Sequence, residues 1–181
     1  MRRVLAWIAG VALIAAAATV LQLQPSEEQQ QAPFAVPAQL GERAEGRTHA
    51  VTFTRVVAAT RVHDQRGWSA DGMWIVVDLE AEATRSEVIG LLSTMELQVG
   101  DLTFRASDRP DSMRDTVHAV GSPREGSIAF ELGELPLEGE ATVLLARAAD
   151  SRLDSMLSLR IDLAELEVLA DAEIRSPEWV P

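Results

Sequence analysis

The stretch Gly72-Met73-Trp74-Ile75-Val76-Val77-Asp78-Leu79-Glu80-Ala81-Glu82-Ala83 alternates along its whole length. Successive side chains on a β-strand point to opposite faces. Met73, Ile75, Val77, Leu79 and Ala81 therefore share one side. Trp74, Val76, Asp78, Glu80 and Glu82 share the other. A strand of this kind must bury its apolar side against a second layer. Trp74 starts on the outer side, where a large aromatic has to be covered by the segment before the domain, by the C-terminal tail, or by another molecule.

Other segments carry the same period. Val51, Phe53, Val56 and Val57 sit among Thr and Arg in THAVTFTRVVAATRV, which suits one long strand or two broken near Ala58. Met95, Leu97 and Val99 precede Gly100-Asp101, and Leu102 and Phe104 follow, a spacing that predicts a two-residue hairpin turn. Ile128, Phe130 and Leu132, then Val143 and Leu145, then Leu157, Leu159, Ile161 and Leu163 supply three more apolar series. Glu80, Glu82, Glu96, Arg105, Glu131 and Arg160 fall on the intervening faces. Ala83–Leu92 reads as a helical turn or a crossover between sheets. These segments predict an all-β fold, an antiparallel sandwich of seven to eight strands over residues 48–163.

The N-terminus sets the compartment. Arg2 and Arg3 precede the run from Val4 to Leu21, which contains no charge. As a helix, 18 residues cover ~27 Å, close to a hydrocarbon core of ~30 Å. The flanking arginines place Met1 on the cytoplasmic side of the plasma membrane and everything after Leu23 outside. One transmembrane signal anchor over residues 1–23 is the expectation. A cleaved signal peptide is the competing reading, since Ala16 and Ala18 form an A-x-A pattern, but the apolar run continues past them. Both readings make the domain extracytoplasmic. Without Cys there is no lipoprotein cleavage site, disulfide, thiolate zinc site or cysteine nucleophile.

Residues 24–47 are rich in Gln, Glu, Ala and Pro, with Pro25, Pro33 and Pro37 opposing regular structure, and read as an extended tether. Residues 164–181 form a C-terminal tail with ambiguous period. Leu163, Leu166 and Leu169 have helical spacing, while Leu166, Val168 and Ala170 have strand spacing. Trp179 between Pro177 and Pro181 is either docked on the domain or a ligand for a partner.

In order, an anchor, a Pro/Gln-rich tether, VTFTRVV, GMWIVVDLEAEA, MELQVGDLTFRAS, a polar loop and PREGSIAFELGELPLEGEATVLLAR resemble the bacterial extracytoplasmic immunoglobulin-like domains of unknown function. Gly72–Asp78, Gly100-Asp101 and Gly126–Glu131 carry the likeness, which spans residues 48–163. Where that family's second strand ends in Asn, this chain has Ala81-Glu82-Ala83. The resemblance implies an immunoglobulin-like sandwich on an anchored protein and no catalytic residues. The sequence lacks the Cys…Trp…Cys spacing of antibody domains.

The net charge is −12, and beyond Arg3 the chain carries 28 acids against 14 arginines. Such a surface repels phosphate backbones, so no nucleic acid is expected as a partner, and it should also stay off anionic lipid head groups. Asp108, Asp111, Asp115 and His118 crowd the loop Ser107–His118 and are weak candidates for a hard cation, with Arg105, Arg109 and Arg114 interleaved. His49, His63 and His118 are scattered along the sequence, no G-x-S-x-G elbow surrounds Ser86, Ser93 or Ser127, and Glu80 and Glu82 suit an exposed strand face. The expectation is therefore no enzyme and no cofactor. Trp68, Trp74 and Trp179 are the candidate partner-binding residues. The chain reads as an anchored binding or scaffolding module, held in the membrane by its N-terminal helix and accessory to another membrane or envelope protein. The alternative is a small-ligand or ion-sensing domain built on the acidic loop.

Overall fold

The computed structural model describes residues 34–85, 90–114, 116–147 and 155–180. The anchor expected over residues 1–23 and the tether residues 24–33 lie outside the described residues. Among the described residues, no helix is long and apolar enough to cross a membrane.

The described chain is all-β, and two sheets face each other. Seven principal strands match the apolar series of the sequence: β3 (His49–Asp64), β4 (Ser69–Ala83), β6 (Thr94–Val99), β7 (Leu102–Arg105), β9 (Arg124–Gly133), β10 (Glu140–Ala146) and β11 (Ser155–Asp162). Shorter strands join them: β1 (Phe34–Ala38), β2 (Arg43–Glu45), β5 (Gly90–Leu91), β8 (Val117–His118), β12 (Val168–Leu169), β13 (Ala172–Ile174) and β14 (Glu178–Trp179). One sheet runs β1-β11-β10-β6-β7; the other runs β12-β3-β4-β9-β14, with β2 and β13 also on β3. The pair β5-β8 forms a third, two-stranded piece, with β5 from the connection between β4 and β6 and β8 from the connection between β7 and β9.

The domain extends beyond residues 48–163 at both ends, by a departure from the sequence reading at the first and by the docked alternative for the tail at the second. Residues 34–47, expected in the tether, supply β1, parallel to β11, and β2, antiparallel to β3. Pro37 fits because β1 is an edge strand, where a missing N–H costs no ladder bond on the open side. The tail is docked: a 3-10 turn at Leu163–Glu165 leads into β12 and β13 on β3 and β14 on β9.

Turn chemistry explains two hairpins. Gly100 adopts φ 56, and the β6–β7 register closes at Val99↔Leu102 around Gly100-Asp101, as the spacing predicts. At the tip of β3–β4, Asp64 accepts from the backbone N–H of Arg66 and Trp68 at 2.9 and 2.8 Å, and Gly67 takes φ 93.

The inner core lies between the sheets. Ile75, Val77, Leu79 and Ala81 of β4 meet Leu97, Ile128, Phe130, Val143, Leu145, Leu157 and Leu159 there, with Met73 and Ile161 packed against them. Strand β3 is continuous through Ala58, but its register shifts at Thr54 and at Thr60. Val51 and Phe53 face inward before the first bulge and Ala58 after it. Without that bulge Arg55 would follow Phe53 into the core, so the extra residue keeps a charge out of the apolar layer.

A second apolar layer covers the outer face of the β3-β4-β9 sheet. Val57, Ala59, Trp74, Val76 and Ala129 from the sheet pack with Val62 of the hairpin tip and Ala172 and Ile174 of β13. Gly72, at φ 143 and next to a bulge at Met73/Trp74, lets the tip turn over the sheet. The tail also bonds across the outer face: Ser127 N–H donates to the Arg175 carbonyl, and Arg175 N–H donates to Ser127 Oγ, both at 3.0 Å.

Candidate functional site

Trp68 and Trp74 come together as the sequence suggests, but around a protein cation rather than an open patch. Their rings meet edge to face, 5.9 Å apart at 85°. The Arg109 guanidinium lies 5.5 Å from the Trp68 ring and 5.2 Å from the Trp74 ring. It also pairs with the Glu131 carboxylate. Trp74 is fully buried, covered by the hairpin tip and the tail, and its Nε1 has no hydrogen-bond partner. The arginine lies against two indole rings and pairs with a carboxylate, and the arrangement closes this end of the second layer. Of the two rings, only Trp68 is reachable from solvent in this conformation.

The acidic loop is drawn apart instead of converging. Asp108 Oδ2 lies 3.5 Å from Arg114 Nη1. Asp111 Oδ2 lies 3.1 Å from Arg66 Nε and accepts from Ser176 Oγ at 2.5 Å. Asp111 N–H donates to Asp64 Oδ2 at 2.9 Å. Burial pushes the Asp64 carboxyl up, but backbone N–H groups of Asp111, Trp68, Arg66 and Gly67 outweigh it, so it titrates below 3.8. Asp64 and Asp111 thus tie the hairpin tip, the loop and the tail together. Asp115 lies outside the described residues. Among the described residues, no three His, Asp or Glu side chains are grouped to hold a metal ion.

Two histidines that are distant in sequence meet in space. His49 at the start of β3 and His118 in β8 are buried, with rings edge to face at 5.8 Å. Thr48 Oγ1 lies 3.1 Å from His49 Nδ1. Burial and then the neighbouring His49 push the His118 imidazole down to about 4; the Ala81 backbone opposes this and Arg124 adds to it. His63 is elsewhere, 3.0 Å from Asp171 on the hairpin tip.

Another buried polar group joins the tail to the sheet. Ser127 Oγ donates to Asp78 Oδ1 at 2.6 Å, and Arg175 Nη2 lies 3.4 Å from Asp78 Oδ2. The only sequence signal was Asp78 itself, an acid on an otherwise apolar stretch of β4, because its partners lie 49 and 97 residues away in the chain. Trp179 is half-exposed in β14, with the Arg124 guanidinium 3.9 Å over its ring.

A concavity lies where no sequence motif pointed. A groove of about 920 Å³ opens along β1 and β11, lined by Ala35, Pro37, Leu40, Val56, Ile161 and Leu166. Arg160, Asp162, Glu165 and Glu167 contribute its charged lining. Strand β1 ends its sheet, so one side of its backbone is unpaired among the described residues. Sequence reasoning missed the groove because its β1 wall was assigned to the tether.

Comparison with known protein families, with characterised proteins and with solved structures finds no match.

Proposed function

We propose that this chain is a membrane-anchored, extracytoplasmic binding or scaffolding module with an immunoglobulin-like sandwich, and that its partner is another membrane or envelope protein. The anchor rests on Arg2, Arg3 and the uncharged run Val4–Leu21. The immunoglobulin-like assignment rests on the strand orders β3-β4-β9 and β11-β10-β6-β7, with the chain crossing between sheets after β4, β7 and β9. That is a Greek-key route through two packed sheets.

The observation that carries the binding role is the groove beside an open sheet edge. Backbone groups on the free side of β1 supply main-chain hydrogen bonds to an added extended segment. Leu40, Ile161 and Leu166 supply an apolar bed for its side chains. Pro37 removes one donor from that edge, which limits unspecific strand addition. The aromatic pair is a weaker candidate because Arg109 and the tail already occupy it.

A photo-crosslinking amino acid at Leu40 of the full chain in its native membrane tests this. A discrete adduct from Leu40, absent when the probe is moved to Glu138 in the loop before β10, is the expected result. A folded protein giving no adduct from either Leu40 or Ile161 contradicts the groove as the binding surface.

A further inference from the structure

Seven large apolar side chains are exposed among the described residues, and four of them fall at one end of the sandwich: Phe34 (65%), Val117 (58%), Val120 (48%) and Trp179 (54%). All four lie at the end of the sandwich where β1, β3, β9 and β11 begin and β4 finishes. Phe34 pairs with Ser155, whose hydroxyl accepts from Arg47 N–H at 2.7 Å. Thr84, one residue past β4, bonds through its N–H to the Thr48 carbonyl and through its hydroxyl to the Arg47 carbonyl. Val120 bridges Ala83, and Val117, in the same connection between β7 and β9, pairs with Leu91. Trp179 pairs with Arg124, which in turn pairs with Ala81. The opposite end carries Leu102 and Leu40 of the exposed set.

This is also the end at which the chain from residues 1–33 enters, at Phe34. Between Leu23 and Phe34 lie ten residues, which reach at most ~35 Å when fully extended. An anchored chain therefore holds this end within a short distance of the bilayer. Trp settles at the membrane–water interface with its apolar ring surface toward the acyl chains and its N–H toward water, and Phe adds a purely apolar ring for burial at the acyl boundary. Arg124, stacked on Trp179, places a guanidinium beside that ring, where head-group phosphate oxygens can accept from it.

We infer that the sandwich end formed by Phe34, Val117, Val120 and Trp179 rests on the lipid surface as an interfacial contact. The occupant is a lipid interface held by apolar and aromatic burial rather than by charge. The acidic domain as a whole is repelled by anionic head groups, so the contact is stronger on zwitterionic than on anionic bilayers. The contact holds the domain in one orientation, which points the loops at the Leu102 end away from the membrane.

The inference rests on the anchored reading, and the test separates the two. The chain has no cysteine, so single substitutions V117C, V120C and L102C each give one labelling site in the full chain. Each is spin-labelled and reconstituted into phosphatidylcholine vesicles, and collision with an aqueous nickel chelate is measured after alkaline carbonate washing. The expected result is a chain that stays with the vesicles, loss of nickel collision at residues 117 and 120, and full collision at residue 102. A second set of vesicles containing phosphatidylglycerol is expected to show weaker shielding. Retention on the vesicles with equal nickel access at all three positions overturns the lipid contact and leaves the anchor standing. Release by carbonate overturns the anchor and the contact with it. Shielding that disappears when vesicles hold one chain each assigns the patch to a second copy and overturns the lipid contact.

Discussion

The two apolar layers of this protein are closed in different ways. The inner layer lies between two sheets, and side chains from β3, β4, β6, β9, β10 and β11 interlock within it. The outer layer lies on one sheet only and is closed by a hairpin tip and the three-residue strand β13. Loss of one inner contact is shared among many neighbours of a cooperative unit. Loss of one outer contact frees a short strand that is held on β3 and by the Ser127–Arg175 bonds. Local opening should therefore start on the outer face, which is also where the aromatic pair sits.

The difference can be broken from the inside. Phe130→Ala is expected to cost about 3–5 kcal/mol, the range for removing a buried aromatic. A denaturant titration should show the whole domain shifting in one transition. Separate transitions for tail and sandwich would contradict a shared inner core.

Ile174→Ala acts on the outer layer alone. The expected cost is about 2 kcal/mol, at the low end for truncating a buried aliphatic, because a terminal strand can settle into the space. Its readout is faster amide exchange at 172–174 with unchanged exchange in β6 and β10. Equal acceleration in both sheets would show that the two layers are not separable.

Acid adds a third lever, in the connection between β7 and β9. His118 titrates near 6.5 in the unfolded chain and about 4 in the folded one. Its folded value is depressed, so stability is full above pH 6.5 and declines as pH falls from 6.5 toward 4. The expected slope from this group is roughly 1.4 kcal/mol per pH unit across that window. Melting temperatures of the wild type and His118→Leu, compared between pH 7 and pH 5, check this. A wild type with the same pH dependence as His118→Leu contradicts the assignment.

Arg109→Ala gives the smallest effect. Losing a partly exposed cation–π contact and its ion pair should cost about 0.5–1 kcal/mol. Tryptophan emission should shift to the red as Trp68 gains water. An unchanged spectrum would mean that the guanidinium does not cover the rings.

Much of the fold was legible because period and turn residues act locally. The alternation of Met73–Ala81 located the inner face of β4, and Gly100-Asp101 located a hairpin. Trp74 on the opposite face already demanded a cover, and the tail is part of that cover. The assignment of residues 34–47 to a tether followed from their prolines and polar composition. Pairing with β11 and β3 overrides that composition, since edge strands accept Pro37 and need little apolar content. The parity changes in β3 were invisible because a bulge leaves no composition signal beyond the threonines at 54 and 60. The candidate site was less legible still. The His49–His118 contact and the Asp78–Ser127–Arg175 group join residues 48 to 97 positions apart. Register across three strands creates such contacts, and no single segment encodes them.

Closure of the outer face by the tail is the claim on which the reading of the three candidate tryptophans depends. Segment-resolved hydrogen exchange of the full chain measures it directly. Residues 172–174 and their partners 62–64 should be protected together, at a level below that of β4 and above that of an open chain. Exchange of 172–174 at the open-chain rate, with 62–64 fast as well, would mean that Trp74 is exposed and that the aromatic pair is a free surface after all.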